Sequence, residues 1–128
     1  MRSLARECVF KYLFSRLFNP SDEGLFDVLI KDLKENDKQF AKSLLDSILI
    51  NEKKYIDNIA ELAQGYSIDR IHNADKCVLL IGMAELDNFK ETDVPIVVDE
   101  AVKLASIFCS EKSTDFINGI LAEYVRRR

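Results

Sequence analysis

Residues 74–89, ADKCVLLIGMAELDNF, set the tightest limit on what this chain can fold into. Between Cys77 and Leu86 only Glu85 bears a charge, so no face of the segment can be left in water. A bilayer span needs about 20 apolar residues, and this run falls short of that. Asn73 and Asp75 offer side-chain oxygens to the free amides at its start, which predicts a helix. A helix apolar nearly all round belongs in the middle of a bundle, as a central post on which the other helices lean. Glu85 then needs an account, because a buried carboxylate is costly unless paired. It either faces a gap at the surface or accepts hydrogen bonds from a partner such as a helix N-terminus or an Arg. A structural or binding role fits it better than that of a catalytic acid.

At 128 residues the chain is long enough for one domain with a real core and no staples. Four Gly and two Pro are few, which disfavours a turn-rich β fold and favours long helices. The net charge of −4 argues against a general nucleic-acid coat protein. A local basic site stays open, since attraction is decided within a Debye length of about 8–10 Å. Cys8, Cys77 and Cys109 lie far apart in apolar helical patterns and read as buried, reduced thiols. With no signal peptide or membrane span in view, the expected location is the cytoplasm, away from membranes.

In chain order, residues 2–18 read as a first helix, ended by Asn19-Pro20. Arg2, Arg6 and Arg16 fall in one arc of its wheel, either as solvated rim charges or as a binding edge. Ser21 or Asp22 caps a second helix carrying Leu25, Phe26, Leu29, Ile30 and Leu33. The chain restarts at Asn36 and Asp37 with a stripe of Phe40, Leu44, Leu45, Ile48 and Leu49. Asn51 reads as a break before a further helix over residues 53–64, which Gly65 ends in a left-handed cap. A waist at residues 65–67 would divide two helical halves, about 1–66 and 67–128. After the post, Pro95 opens a helix with Val98, Ala101, Val102, Ala105, Phe108 and Cys109 on one face. Ser113 caps the last helix, with Phe116, Ile117, Ile120, Leu121 and Tyr124 buried. Asn118-Gly119 is a hairpin signal, but its flanks do not alternate, so the helix prevails and Gly119 admits a close neighbour. Arg126, Arg127 and Arg128 form a basic, fraying tail.

Little suggests catalysis. His72 has no Cys or His at metal-ligand spacing. Gly24, Gly65, Gly82 and Gly119 stand too far apart for a phosphate loop, and no nucleophile elbow is present. The chain is expected to be neither an enzyme nor a holder of metal or cofactor.

Two runs carry a likeness: Val97-Val98-Asp99-Glu100-Ala101-Val102-Lys103-Leu104-Ala105 and Phe116-Ile117-Asn118-Gly119-Ile120-Leu121. With Ala5-Arg6-Glu7, Asp69-Arg70 and Ala84-Glu85-Leu86, the chain resembles the NusB transcription antitermination factors along almost its whole length. The resemblance implies an all-α, seven-helix bundle of two subdomains around a central apolar helix. That fold also resembles the N-terminal domain of some RNA cytosine methyltransferases. A stand-alone factor is the better match, with an accessory domain or a protein-only scaffold as alternatives.

The resemblance further implies a protein that binds single-stranded boxA RNA with NusE, a ribosomal protein of the small subunit. Such a factor supports read-through by RNA polymerase in ribosomal RNA operons, in an assembly that includes NusA and NusG. Some relatives pair with themselves, so a homodimer is open too. By likeness, Arg2, Arg6, Asp69, Arg70, Lys112, Ser113, Asp115 and Phe116 would contact RNA, while Phe14 and Asp75 would face NusE. The chain departs from the family in places. Only Arg2 precedes Ala5-Arg6-Glu7, where relatives carry a longer arginine-rich arm. Leu80 stands where Arg is frequent, Phe14 where Tyr is common, and Lys112 replaces a common acid. Each lost phosphate contact flattens the salt dependence by about 0.7 for a single strand. Weak RNA binding alone is therefore expected, with most of the affinity arising in the NusE heterodimer.

Overall fold

The computed structural model describes residues 2–22, 24–64 and 71–128. Every regular element among them is a helix: α1 (Arg2–Arg16), α2 (Leu25–Ile30), α3 (Glu35–Ala63), α4 (Asn73–Asn88), α5 (Val94–Phe108) and α6 (Glu111–Arg127). The all-α expectation holds, but the count of seven is corrected to six among the described residues. The difference lies at Asn51, which is no break. Its Nδ2 donates to the Ser47 carbonyl 2.9 Å away, and α3 runs through it for 29 residues. The expected waist at residues 65–67 and the cap at Gly65 lie outside the described residues.

Helix α4 is the post. Every residue from Cys77 to Leu86 is buried, and α1, α3, α5 and α6 all pack against it. Gly82 lets two of them approach. A Cβ there would sit 2.9 Å from Leu121 Cδ1, closer than packed side chains stand, and in ordinary contact 3.6 Å from Ala101 Cβ. The start of α4 differs from expectation. His72 is the N-cap without a side-chain bond, and Asn73 is already helical. Asp75 turns inward instead, to the Cys109 thiol.

Contacts along the bundle fix its directions. Arg2 meets Thr92 just before α5, and Phe10 stacks on Phe108 near the end of α5, so α1 and α5 run parallel. Helix α4 runs against both, with Glu85 beside Arg6 and Asp75 beside Cys109. Pro95 sits in the first turn of α5, where its missing N–H costs nothing. The buried stripe of α5 is Val97, Ala101, Leu104 and Ala105, rotated from the expected one, which leaves Val98 and Val102 half-buried. Helix α6 starts at Glu111 behind the N-cap Ser110, not at Ser113, and contains Asn118 and Gly119 as helical residues. Among the described residues no helix is long and apolar enough to cross a membrane.

Candidate nucleic-acid interface

Helix α1 brings its first cation to the connection between α4 and α5. Arg2 Nη1 donates to Thr92 Oγ1 at 3.2 Å and stands 3.7 Å from Glu91 Oε1. The same guanidinium lies over the Phe40 ring, 4.4 Å from its centroid, and Phe40 meets Phe89 edge-on at 5.1 Å. A cleft of about 460 Å³ opens here, bounded by Arg2, Asn36, Asp37, Gln39, Ser43 and Phe89. It holds a cation for phosphate, an aromatic ring, and amide and hydroxyl groups that suit the edges of an unpaired base.

Arg6 lies one turn further along α1 and is 4% exposed. Its Nε and Nη2 donate to Glu85 Oε1 and Oε2 at 2.7 and 2.5 Å, the planar two-toothed geometry that suits a guanidinium. Glu100 adds a second carboxylate 3.6 Å from Nη1 and accepts from Ser3 Oγ at 3.0 Å. Of the two partners considered for Glu85, an Arg is thus the one present, and the pair lies inside the protein. Arg16, the third member of the arc, pairs with Glu52 of α3 at 2.5 Å.

The remaining candidates sit at the other end of the bundle. Lys112 and Asp115 are exposed in the first turns of α6, while Ser113 is buried with its Oγ 3.2 Å from Ser110 Oγ. Phe116 is half-buried against the core. Asp75 accepts from the Cys109 thiol, and burial together with this bond pushes that thiol up to about 12. Burial likewise pushes Cys77 up to about 11, so both thiols are neutral. Phe14 belongs to a column of rings: it stacks on Phe10 at 5.8 Å and meets Phe18 at 5.4 Å, and Phe18 is 64% exposed.

The structure therefore gathers Lys112, Ser113, Asp115, Phe116 and Asp75 at one end and sets Arg2 and Arg6 at the other. Helix α1 spans the interval, and its rise from Arg2 to Phe14 is roughly 18 Å. Asp69 and Arg70 lie outside the described residues. Phe40 and Phe89, the aromatic walls of the cleft, were not among the expected site residues. Phe40 reads in the sequence as one more apolar position of a helix. The available signal was Phe89 itself, an aromatic residue at a helix end next to Lys90.

The family model described as the NusB family matches residues 3–126. The transcription antitermination protein NusB of Fusobacterium nucleatum is 34% identical over 130 residues, covering 93% of this chain and 84% of its own. The crystal structure of NusB from T. maritima superposes with a TM-score of 0.87 at 26% identity, covering 96% of this chain and 89% of that one. The antitermination factors NusB and NusE in complex with double-stranded RNA share the fold, with a TM-score of 0.82 at 24% identity over 99% of this chain and 97% of that one. With a family match that leaves only two residues uncovered at each end, the chain belongs to the NusB family.

Proposed function

We propose that this protein is a non-catalytic transcription antitermination factor. It holds boxA-type RNA together with NusE and supports read-through by RNA polymerase in ribosomal RNA operons. The family match over residues 3–126 carries this reading, because a helical bundle by itself does not imply a function. The chemistry on the surface supports it. Single-stranded RNA is held by cations on phosphates and by rings on bases, and Arg2 and the half-buried Phe89 supply both within one cleft, with Phe40 buried behind the guanidinium.

Arg2, Asp69, Arg70, Lys112, Ser113, Asp115 and Phe116 form the RNA surface in this reading. Exposed Lys112 meets phosphate, and buried Ser113 shapes the turn that presents it. Arg6 serves the same surface from within, by fixing the first turn of α1 on Glu85. Phe14 and Asp75 mark the end at which NusE docks, with Phe18 and Leu17 as its exposed apolar contacts. The heterodimer then enters the larger polymerase assembly with NusA and NusG, as one unit made of the whole chain acting in the cytoplasm.

One observation favours a second reading, a scaffold that binds NusE without touching RNA. The guanidinium of Arg6 is occupied by Glu85, so the first helix offers few cations to a phosphate. Filter binding of boxA RNA with and without NusE separates the two. The proposed factor binds weakly alone and tightly in the heterodimer, and Arg2→Ala/Lys112→Ala lowers that affinity about tenfold or more. A scaffold shows no RNA affinity for the substitution to lower. Equal, tight binding with and without NusE would overturn the division of labour proposed here.

A further inference from the structure

A second cavity, of about 980 Å³, lies apart from the Arg2 cleft among the described residues. It is a groove between the second half of α3 and the C-terminal ends of α4 and α6. Four cations line it, Lys54, Lys90, Arg127 and Arg128, against two carboxylates, Glu61 and Asp87. In a chain with 18 basic and 22 acidic residues, this reverses the sign locally. The carboxylate at its centre is moreover satisfied from within. Asp87 accepts from the Tyr124 hydroxyl at 2.5 Å and from Arg128 Nη1 at 3.1 Å. Lys54 stands further off, 3.9 Å from Asp87 Oδ2, with its side chain 62% exposed. Lys90 is exposed and makes no ion pair among the described residues. The aromatic rings here are not stacking platforms, since Tyr55 and Tyr124 are buried. What the groove presents is an excess of positive charge beside the amides of Asn51, Asn58 and Asn88.

Its position adds a second observation. Phe89 lines the Arg2 cleft and the next residue, Lys90, lines the groove, so the two adjoin across one peptide. One stripe of α3 floors both, with Phe40 and Ser43 in the cleft and Asn51, Lys54 and Asn58 in the groove. These residues are spaced by three, eight, three and four positions, which at 100° per residue keeps them on one helix face over about 27 Å.

We propose that this groove is a second RNA site, which takes the phosphodiester backbone of nucleotides flanking the element held at the Arg2 cleft. The inference rests on the RNA-binding function proposed above and extends it. The contacts are to phosphate, so they add affinity and salt dependence without sequence preference. Lys54 and Lys90 carry the site, and Arg127 flanks it.

The test compares three RNAs on the full chain with NusE. One is the core boxA element, and two are extended by about eight uridines on the 5′ or the 3′ side, within the usual span of a single-strand site. One extension is expected to bind about tenfold more tightly than the core. In Lys54→Ala/Lys90→Ala that gain disappears, and the salt slope for the extended RNA falls by about 1.4, two contacts at about 0.7 each. Core affinity stays as in the parent protein. The inference is overturned if neither extension binds more tightly than the core, or if the gain survives the double substitution. In both cases core binding that persists leaves the proposed function standing, whereas absence of all RNA binding would remove both.

Discussion

Arg6 and Glu85 stand 79 residues apart in the sequence and meet inside the protein. Each would be intolerable alone: removing one partner of a buried pair typically costs about 3–5 kcal/mol, because the other charge stays behind without water. Arg6→Met and Glu85→Leu are each expected to destabilise the fold by about that much in urea unfolding. Arg6→Met/Glu85→Leu, which removes both charges and keeps the volume, should lose at least 2 kcal/mol less than the sum, near the upper range of coupling between contacting residues. Additive losses would mean that the two side chains do not depend on each other. Half of this was legible beforehand. A lone carboxylate in an apolar helix announces that it needs a partner, and an Arg was among those considered. That the partner was Arg6 was not legible, because an arginine near a helix start looks the same whether it points out or in. Only packing tells them apart. The same blindness applies to Phe40, whose ring completes the core and also backs the Arg2 cleft.

At the scale of elements, α3 is where sequence and structure part. Its core-facing residues run Leu44, Leu45, Ile48, then Tyr55, Ile59 and Leu62. The apolar rhythm lapses between Ile48 and Tyr55, and Asn in that gap suggested a helix end. The lapse has a different origin. Glu52 fills that interval and pairs with Arg16 of α1, so a polar contact replaces an apolar one while the backbone continues. Periodicity reads hydrophobic contacts and is silent where two helices touch through charge. Asn51→Pro decides between the readings. In a continuous helix it removes a main-chain bond and clashes with the preceding turn, at a cost of about 3 kcal/mol or more. At a true break the proline would leave the urea midpoint nearly unchanged. Elsewhere the rhythm served better: Ile117, Ile120, Leu121 and Tyr124 of α6 are buried as spacing predicts, while Phe116 is only half-buried and Ser113 is buried in its first turn. The N-caps were placed less well. Asp75 gave up the helix start for the Cys109 thiol, a partner far along the chain that local reading does not see.

Across the whole molecule the two ends of the bundle present different groups. Arg2, Phe40 and Phe89 occupy one end, Phe14, Phe18 and the α6 turn the other, and α4 holds them at fixed separation. In the proposed reading the α6 turn serves RNA beside the NusE face, so a test of NusE binding alone belongs at Phe18. Phe18→Ala removes a ring that is largely exposed, so stability should shift by less than about 0.5 kcal/mol, as for ordinary surface changes. The NusE heterodimer should weaken by at least 1 kcal/mol, about fivefold in Kd by calorimetric titration, if the ring anchors the contact. An unchanged Kd would move the docking face elsewhere. The overall architecture was readable from one apolar segment, because a post with no wet face leaves few arrangements open. The division of the surface was not, since it depends on which helices run parallel.

The column of rings has one more consequence. Phe18 leans on Phe14, Phe14 on Phe10, and Phe10 is clamped against Phe108 in the interior. The outermost ring thus rests on rings anchored in the core. A protein that settles on it finds the surface already in its final shape, and little ordering entropy is left to oppose association.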